Sequence, residues 1–475
     1  MSDESMNYPQ QVEALNRRAF LSRTGIGLGA LALDSLGMFD QSVLASAARG
    51  AFKRAVAPKA KSVIFLHMVG APSQLDLFED KPELRRFDRK LAPKSFVEGK
   101  RFAFLRGHPK LLGSPYNFSR HGQSGAPFSE LFPHLAKCSD DISFIRSMKT
   151  EEFNHGPAQM LAHTGLNRGG NPSLGSWVNY GLGSSNKALP GYVVFISGVL
   201  PGGGRALWAN GFLPSVHQGV EFRSEGEPVL FLNNPKNVDR MRRRRMIDGI
   251  QGLNIKRYES SQDREILTRI EQYELAFRMQ SSVPELMDIS GEPAAVRELY
   301  GEGEFARHCL HARRLVERGT RFVELFNASW DTHGKQDQQL RRQCRSTDQA
   351  IAGLLHDLKQ RGLLGETLVV WASEFGRTPM LQGEESPEKC GRDHHKEAFT
   401  IWLAGGGIKG GQSYGASDEL GYWIAENPVR FRDVHATLLY LLGLDHRRAS
   451  FRFHGLDQRL TGVEDDARIL SSLLI

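Results

Sequence analysis

The sequence predicts an α/β fold: a mostly parallel sheet with helices on both faces and an inserted cap region. Three observations carry that reading. Short, largely apolar runs recur at 61–69, 322–326, 368–372 and 399–404, each the length of a buried strand. Longer helical patterns, of which 338–361 is the clearest, alternate with them. The runs also lead into loops rich in acids, imidazoles and glycines. Strand 368–372 continues into Ser373, Glu374, Gly376 and Arg377, and strand 399–404 ends in Gly405-Gly406-Gly407. Both are expected to contribute at the carboxyl edge of the sheet, where open α/β sheets build their sites.

Taken in order, the chain opens with Asn16-Arg17-Arg18-Ala19-Phe20-Leu21, a twin-arginine core. An apolar, glycine-rich run over 24–33 and the small residues Ala45-Ser46-Ala47 come next. Residues 1–47 read as a twin-arginine export signal, which implies a periplasmic or extracellular destination. That route carries folded proteins, often with a cofactor loaded, and so favours a metal-dependent one. The apolar run is too short to span a membrane, and no later stretch approaches about 18 uninterrupted apolar residues, so no integral membrane segment is expected. The folded domain is expected over 60–475.

Its first strand, 61–69, runs into the turn-rich segment Gly70-Ala71-Pro72-Ser73-Gln74-Leu75-Asp76. Residues 80–125 are a polar excursion, 131–136 reads as a helix and 142–148 as the next strand. Phe153-Asn154-His155-Gly156-Pro157 breaks the chain before a helix at 158–163, which Gly165 closes. A helix at 173–183 and a strand at 192–196 come after it. Over 200–290 a Gly-Gly-Gly turn gives way to charged helical stretches, and this segment is the expected cap. A helix at 304–318, the strand at 322–326 ending at Trp330-Asp331-Thr332-His333-Gly334, and the helix at 338–361 lead to strand 368–372.

Composition limits the classes of function. Hydrophobic content of 40% and charged content of 24% are those of a soluble globular protein. The net charge of +7 peaks at Arg240-Met241-Arg242-Arg243-Arg244-Arg245. With no aromatic interleaving or nucleic-acid motif beside it, that run reads as a solvated helix face rather than a nucleic-acid surface. An anionic polymer such as a sulfated polysaccharide is the other partner it would suit. Cys138, Cys309, Cys344 and Cys390 lack CxxC spacing and form neither a zinc motif nor a disulfide framework, although one bridge stays open.

Asp331, His333, Glu374, Asp393, His394 and His395 fall at strand ends or on the loop into a strand. Carboxylate plus imidazole suits zinc, manganese or iron, with magnesium or calcium preferred where carboxylates dominate. Asp331 and His333 are two apart, so on an extended strand end both side chains point the same way and can share one ion.

The order of these motifs resembles the alkaline phosphatase and sulfatase superfamily. Asp-x-His comes first, then strand-Ser-Glu-Phe-Gly, then His before strand-Leu-Ala-Gly-Gly-Gly, then Asp433-Val434-His435-Ala436-Thr437-Leu438-Leu439. More narrowly, the twin-arginine start with GAPSQLD, SEFGRTP, GRDHH and AGGGIKGG resembles an exported bacterial family of unknown function within it. The resemblance implies a metal held by Asp331, His333 and His394 or His395. The departures are specific. Glu374 stands for the Asp of an Asp-His-Gly tip, but Phe375 replaces its His. The first strand ends in Val69-Gly70 where an Asp is expected, leaving Ser73 or Asp76 nearby. His155, followed by Gly156-Pro157 and reaching Thr164-Gly165 at the family's spacing, stands where a nucleophile is expected.

The resemblance and the ligand types together imply an exported, divalent-metal-dependent hydrolase of phosphate or sulfate esters, acting on small-molecule or polysaccharide substrates, with zinc, manganese or calcium as the ion. His155 would be nucleophile, base or extra ligand, Asn154 a donor to the transferred group, and Arg377 a fork for the substrate anion. The alternative is a catalytically degenerate binding or scaffold protein that keeps the fold.

Overall fold

The computed structural model describes residue 52 and residues 55–98, 107–464 and 466–475; residues 1–47, expected as the export signal, lie outside the described residues. Among the described residues, eight strands make the main sheet: β1 (Ser62–Met68), β2 (Ile142–Met148), β3 (Tyr192–Ser197), β4 (Val220–Phe222), β5 (Phe322–Asn327), β6 (Thr367–Ala372), β7 (Phe399–Ala404) and β8 (Ser413–Tyr414). Their spatial order is β8-β2-β7-β6-β1-β5-β3-β4. Every neighbouring pair is parallel except the two that involve β7.

The apolar runs are continuous because helices cover both faces. Successive side chains of a strand point to opposite faces: Ile64, Leu66 and Met68 of β1 enter one apolar cluster, while Val63 and Phe65 enter another. Helices α1 (His155–Thr164), α2 (Leu174–Leu182), α3 (Arg240–Ser261), α4 (Arg264–Met287), α5 (Glu304–Glu317), α6 (Gln336–Gln360) and α7 (Phe431–Leu441) surround the sheet. Leu310 and Leu315 of α5 and Leu354 of α6 fill the first cluster, and Trp177 of α2 and Leu438 of α7 fill the second. Each such side chain contributes about 1.5–3 kcal/mol on burial, which fixes the sheet's edge as a rigid platform for loops.

Strand β7 corrects one expectation. It runs against its neighbours, so its amino end lies at the edge where β1, β5 and β6 finish. Gly405-Gly406-Gly407 therefore sits at the opposite edge, where a Cβ on Gly405 would fall 2.3 Å from the Leu364 carbonyl oxygen and 2.5 Å from that of Thr367. The glycine run is a tight turn against the start of β6 and takes no part in the site. A six-residue apolar run carries no direction, which is why the sequence misplaces it.

Smaller differences have local causes. Helix α1 begins at His155 rather than at 158, because Pro157 falls in the first turn, where no amide hydrogen is needed. Gly165 closes it at φ 76°. The helix expected at 131–136 is a 3₁₀ stretch at Leu135–Asp141. Within 200–290, β4 joins the main sheet as its edge strand before the α3–α4 hairpin. The arginine run lies in the first turns of α3, where Arg244 pairs with Asp248 and Glu274 and lies over the Phe277 ring with Arg240. All four cysteines are free thiols, so the bridge left open does not form here.

Candidate metal centre

Four side chains meet at the edge where the parallel strands end. Asp331 and His333 ride the loop after β5, and His155 is the first residue of α1, on the chain leaving β2. His394 belongs to a two-residue strand, His394–His395, paired antiparallel with Gly376–Arg377 just after β6. Asp331 Oδ1 lies 3.0 Å from His333 Nε2 and 3.3 Å from His394 Nε2. Asp331 Oδ2 lies 3.3 Å from His155 Nε2, and the Nε2 atoms of His333 and His394 are 2.9 Å apart. Ligand atoms of His155, Asp331 and His394 all lie within 4.8 Å of one another. Asp331 and His333 do converge, though on a loop rather than on an extended strand end.

The other nitrogen of each ring is held by an oxygen. His155 Nδ1 is 2.7 Å from Glu374 Oε1, His333 Nδ1 is 2.6 Å from Gln382 Oε1, and His394 Nδ1 is 2.8 Å from the Phe153 carbonyl. An acceptor at Nδ1 keeps a proton there and leaves Nε2 as the lone-pair donor, the arrangement of metal-ligating histidines. Nε2 of His155 is buried and faces the Asp331 carboxylate at 3.3 Å without a well-aligned hydrogen bond to it, a position a cation between the two would satisfy. These donors fit a divalent ion. Three imidazoles and one carboxylate suit zinc, manganese or iron and do not suit calcium, which takes oxygen ligands.

The local field favours positive charge. Burial works against the Asp331 carboxylate, but bonds from His155, His333 and His394 and the Arg377 charge hold its pKa well below the usual range. Burial likewise opposes charge on His155, yet Asp331 and Glu374 raise its pKa to about 9. Asp331 raises that of His333, while burial lowers that of His394. Protons on these rings and a divalent ion compete for the same place.

Several expected site residues stand elsewhere. Glu374 is fully buried behind His155, and its Oε1 accepts from His155, from the Gly70 amide at 2.9 Å and from Gln159 Nε2 at 3.0 Å. Its Oε2 meets Ser373 Oγ at 2.8 Å and His67 Nε2 at 3.1 Å, so both oxygens are taken up by protein groups behind His155. Arg377 is also fully buried: it donates to the carbonyls of Gly70, Ala71 and Arg392 and to Asp331, which leaves its fork inside the protein and not facing a substrate. Asp76 is clamped by Arg392 at 2.7 and 3.1 Å, by Ser73 and by Gln336, and stands apart from the cluster. His395 Nε2 bonds the Tyr422 carbonyl at 2.6 Å, and Asp393 accepts from the His394 amide at 2.8 Å; both support the loop outside the ligand group. Phe375 stacks its ring 4.9 Å from that of His155 and lies tilted 4.7 Å from that of His394. Asn154 is exposed at the helix N-cap, beside His155.

Gly70 explains the missing first-strand Asp. At φ 110° a Cβ here would fall 2.4 Å from the Asp331 backbone nitrogen, so no side chain fits; its amide donates to Glu374 instead. Sequence reasoning also misses His67, Gln159, His163 and Glu324, which extend the network inward. The signal is there for two of them: His67 and Glu324 are the ionisable residues of fully buried strands that are apolar apart from these and the terminal Ser62 and Asn327.

The profile of a family described as "Protein of unknown function (DUF1501)" matches residues 60–474. No curated protein matches the chain in sequence. Among solved structures the chain is similar to the sulfatase PsFucS1 from Pseudoalteromonas sp., at 14% identity and a TM-score of 0.34, over 90% of this chain and 75% of that one. It is similar to the alkaline phosphatase of the Antarctic bacterium TAB5 at 11% identity and a TM-score of 0.32, over 82% and 99% of the two chains. The phosphonate monoester hydrolase SpPMH from Silicibacter pomeroyi matches at 14% identity and a TM-score of 0.33, over 72% and 71%.

Proposed function

The chain belongs to the DUF1501 family of unknown function, so its activity has to be read from its own residues, and we propose that it is an exported, metal-dependent hydrolase of phosphate or sulfate esters. The observation that carries this reading is the convergence of three oriented imidazole nitrogens on the Asp331 carboxylate at the loop edge of the sheet. His155, Asp331, His333 and His394 would hold the ion. When bound, a divalent ion supplies Lewis-acid polarisation of an ester oxygen and acidifies water.

The protein's own groups do the rest. Glu374, Gln382 and the Phe153 carbonyl orient the rings, and Arg377 anchors Asp331 from behind. His155, where the superfamily resemblance puts a nucleophile, has Nδ1 committed to Glu374 and Nε2 turned toward Asp331, so a ligand role fits it better than attack. The nucleophile would then be water. Twin-arginine residues 16–21 support export, and no described helix is long and apolar enough to cross a membrane.

The test is an ester-substrate screen with zinc, manganese and iron. Turnover of a phosphate or sulfate ester that disappears in His155→Ala and in Asp331→Ala supports the reading; absence of turnover with every ion overturns it. One observation favours a second reading, a metal-binding protein without hydrolytic activity: the Arg377 guanidinium is spent on backbone carbonyls and Asp331, leaving no fork for an oxyanion. Wild-type metal binding with no turnover would select it.

A further inference from the structure

Helix α3 is apolar on two sides, and only one of them is covered. The side that meets α4 carries Ile247, the one buried residue of the helix, and Arg244, which reaches Glu274. Met246, Ile250 and Leu253, spaced i, i+4 and i+7, form a stripe on another side and are exposed, Leu253 to 70%. Met241, in the first turn, is 73% exposed. Of the large apolar side chains that the described helices expose, these four and Tyr273 of α4 are the full set.

Cations frame the stripe. Arg242 lies one turn before Met246 and Arg257 one turn after Leu253, while Arg245 and Lys256 stand on the adjoining column. All four are exposed, and none has a carboxylate partner among the described residues. Between Arg245 and Lys256 come Gly249 and Gly252, where a Cβ would meet nothing within 4 Å, so the middle of the face is low and open. The two acids of the helix, Asp248 and Glu259, fall roughly 150–170° around from the stripe. At the amino end of α3 the preceding loop adds Leu230 and Phe231, the latter 89% exposed. Gln280 of α4 donates to the Leu232 carbonyl at 2.8 Å and Arg240 donates to the neighbouring Ser281, which places the loop there. Phe231 holds φ 60°, an unfavourable conformation for a bulky residue, with its ring in water.

Three occupants suit such a face differently. A sulfated polysaccharide answers the cations and leaves the apolar stripe wet. A second copy covers the stripe but sets like charges face to face, because no acid stands beside it. A bilayer surface with anionic headgroups answers both features: apolar side chains enter the acyl boundary while long cationic stems reach back to the phosphates. We propose that the outward face of α3, with Phe231 beside it, docks on a membrane surface rich in anionic phospholipid. The helix lies in the interface, with Met246, Ile250 and Leu253 inserted and Arg242, Arg245, Lys256 and Arg257 on the lipid phosphates. None of this depends on the metal centre.

Flotation of the full chain with vesicles of phosphatidylcholine, alone or with about one-third phosphatidylglycerol, tests it. Binding to the anionic vesicles is expected, weakening as salt rises. Arg242→Gln with Lys256→Gln should lower it about 25-fold, about 5-fold for each charge. Ile250→Ser with Leu253→Ser should lower it at least about 10-fold and leave binding to heparin unchanged. These positions are exposed, so the variants are expected to melt with wild type, and residues 1–47 are common to every protein compared. Absence of binding to anionic vesicles overturns the proposal. So does an equal loss in Arg168→Gln with Arg452→Gln, two exposed cations off the helix, which would mark attraction by net charge alone. Vesicle binding unchanged by the apolar pair of substitutions assigns the face to an anionic polymer. A dimer in analytical ultracentrifugation that the same pair dissolves assigns it to a second copy. Either result overturns membrane docking.

Discussion

Replacing Glu374 by glutamine removes one charge and almost no volume, which makes it the sharpest probe of how the candidate centre is oriented. Oε1 faces three donors, the Gly70 amide, His155 Nδ1 and Gln159 Nε2, so the glutamine oxygen must take that side. Its NH₂ then faces Ser373 Oγ, which already donates to the Met68 carbonyl and can accept, and His67 Nε2, which must give up its proton. The shape is kept and the charge-assisted bond to His155 becomes an ordinary one. A loss of about 1–3 kcal/mol in stability is expected from the weakened buried bonds. Metal affinity should fall about 10–100-fold, or about 1.4–2.8 kcal/mol, because His155 is no longer held by an anion. Glu374→Ala strands every donor around a fully buried hole and should cost about 3–5 kcal/mol, enough to melt a marginal fold. Zinc titration calorimetry alongside thermal melts measures both. A Glu374→Gln protein that binds zinc within about twofold of wild type would refute the outer-sphere role assigned to this carboxylate.

Other perturbations test the same geometry. Gly70→Ala places a Cβ 2.4 Å from the Asp331 nitrogen at φ 110°, and should cost more than about 2 kcal/mol by melting while displacing Asp331 and lowering metal content. Asp76→Asn breaks the fully buried pair with Arg392, which bonds the Leu112 and Thr378 carbonyls, and should destabilise by about 3–5 kcal/mol in denaturant titrations. Acid should unfold the protein early. Burial depresses the pKa of His308 to about 3 and those of His311, His395 and His435 to about 4. A depressed imidazole contributes stability above its unfolded pKa near 6.5 and loses it as pH falls toward the folded value, at about 1.4 kcal/mol per pH unit for each ring. Melting temperature should therefore drop steeply between about pH 6.5 and 4, and a flat profile there would count against neutral burial of these rings.

The strands β1, β5 and β6 are legible in the sequence because a strand buried on both faces of a sheet is mostly apolar. Strand β7 is equally legible as a strand, but its direction depends on how the chain returns to the sheet, which no residue in 399–404 encodes. Motif order groups Asp331, His333 and His394, and the structure brings them together. The role of His155 is open in the sequence between nucleophile, base and ligand, since it turns on Pro157 being absorbed into the first turn of α1. Arg377 and Asp76 are misassigned for one reason: the sequence displays a charge but not its partner, and both charges are consumed inside the fold. Of the interior row, His67 and Glu324 leave a trace as ionisable residues inside apolar strands, while the sequence does not show that His163 of α1 packs between them.

The most direct test of the candidate centre is metal content of the purified protein, by elemental analysis, against His155→Ala, Asp331→Ala and His333→Ala. The expected result is about one equivalent of zinc, manganese or iron in wild type, falling below about half in each variant that remains folded. Wild type with less than about half an equivalent, or variants that retain the wild-type content, would contradict a shared centre at these side chains.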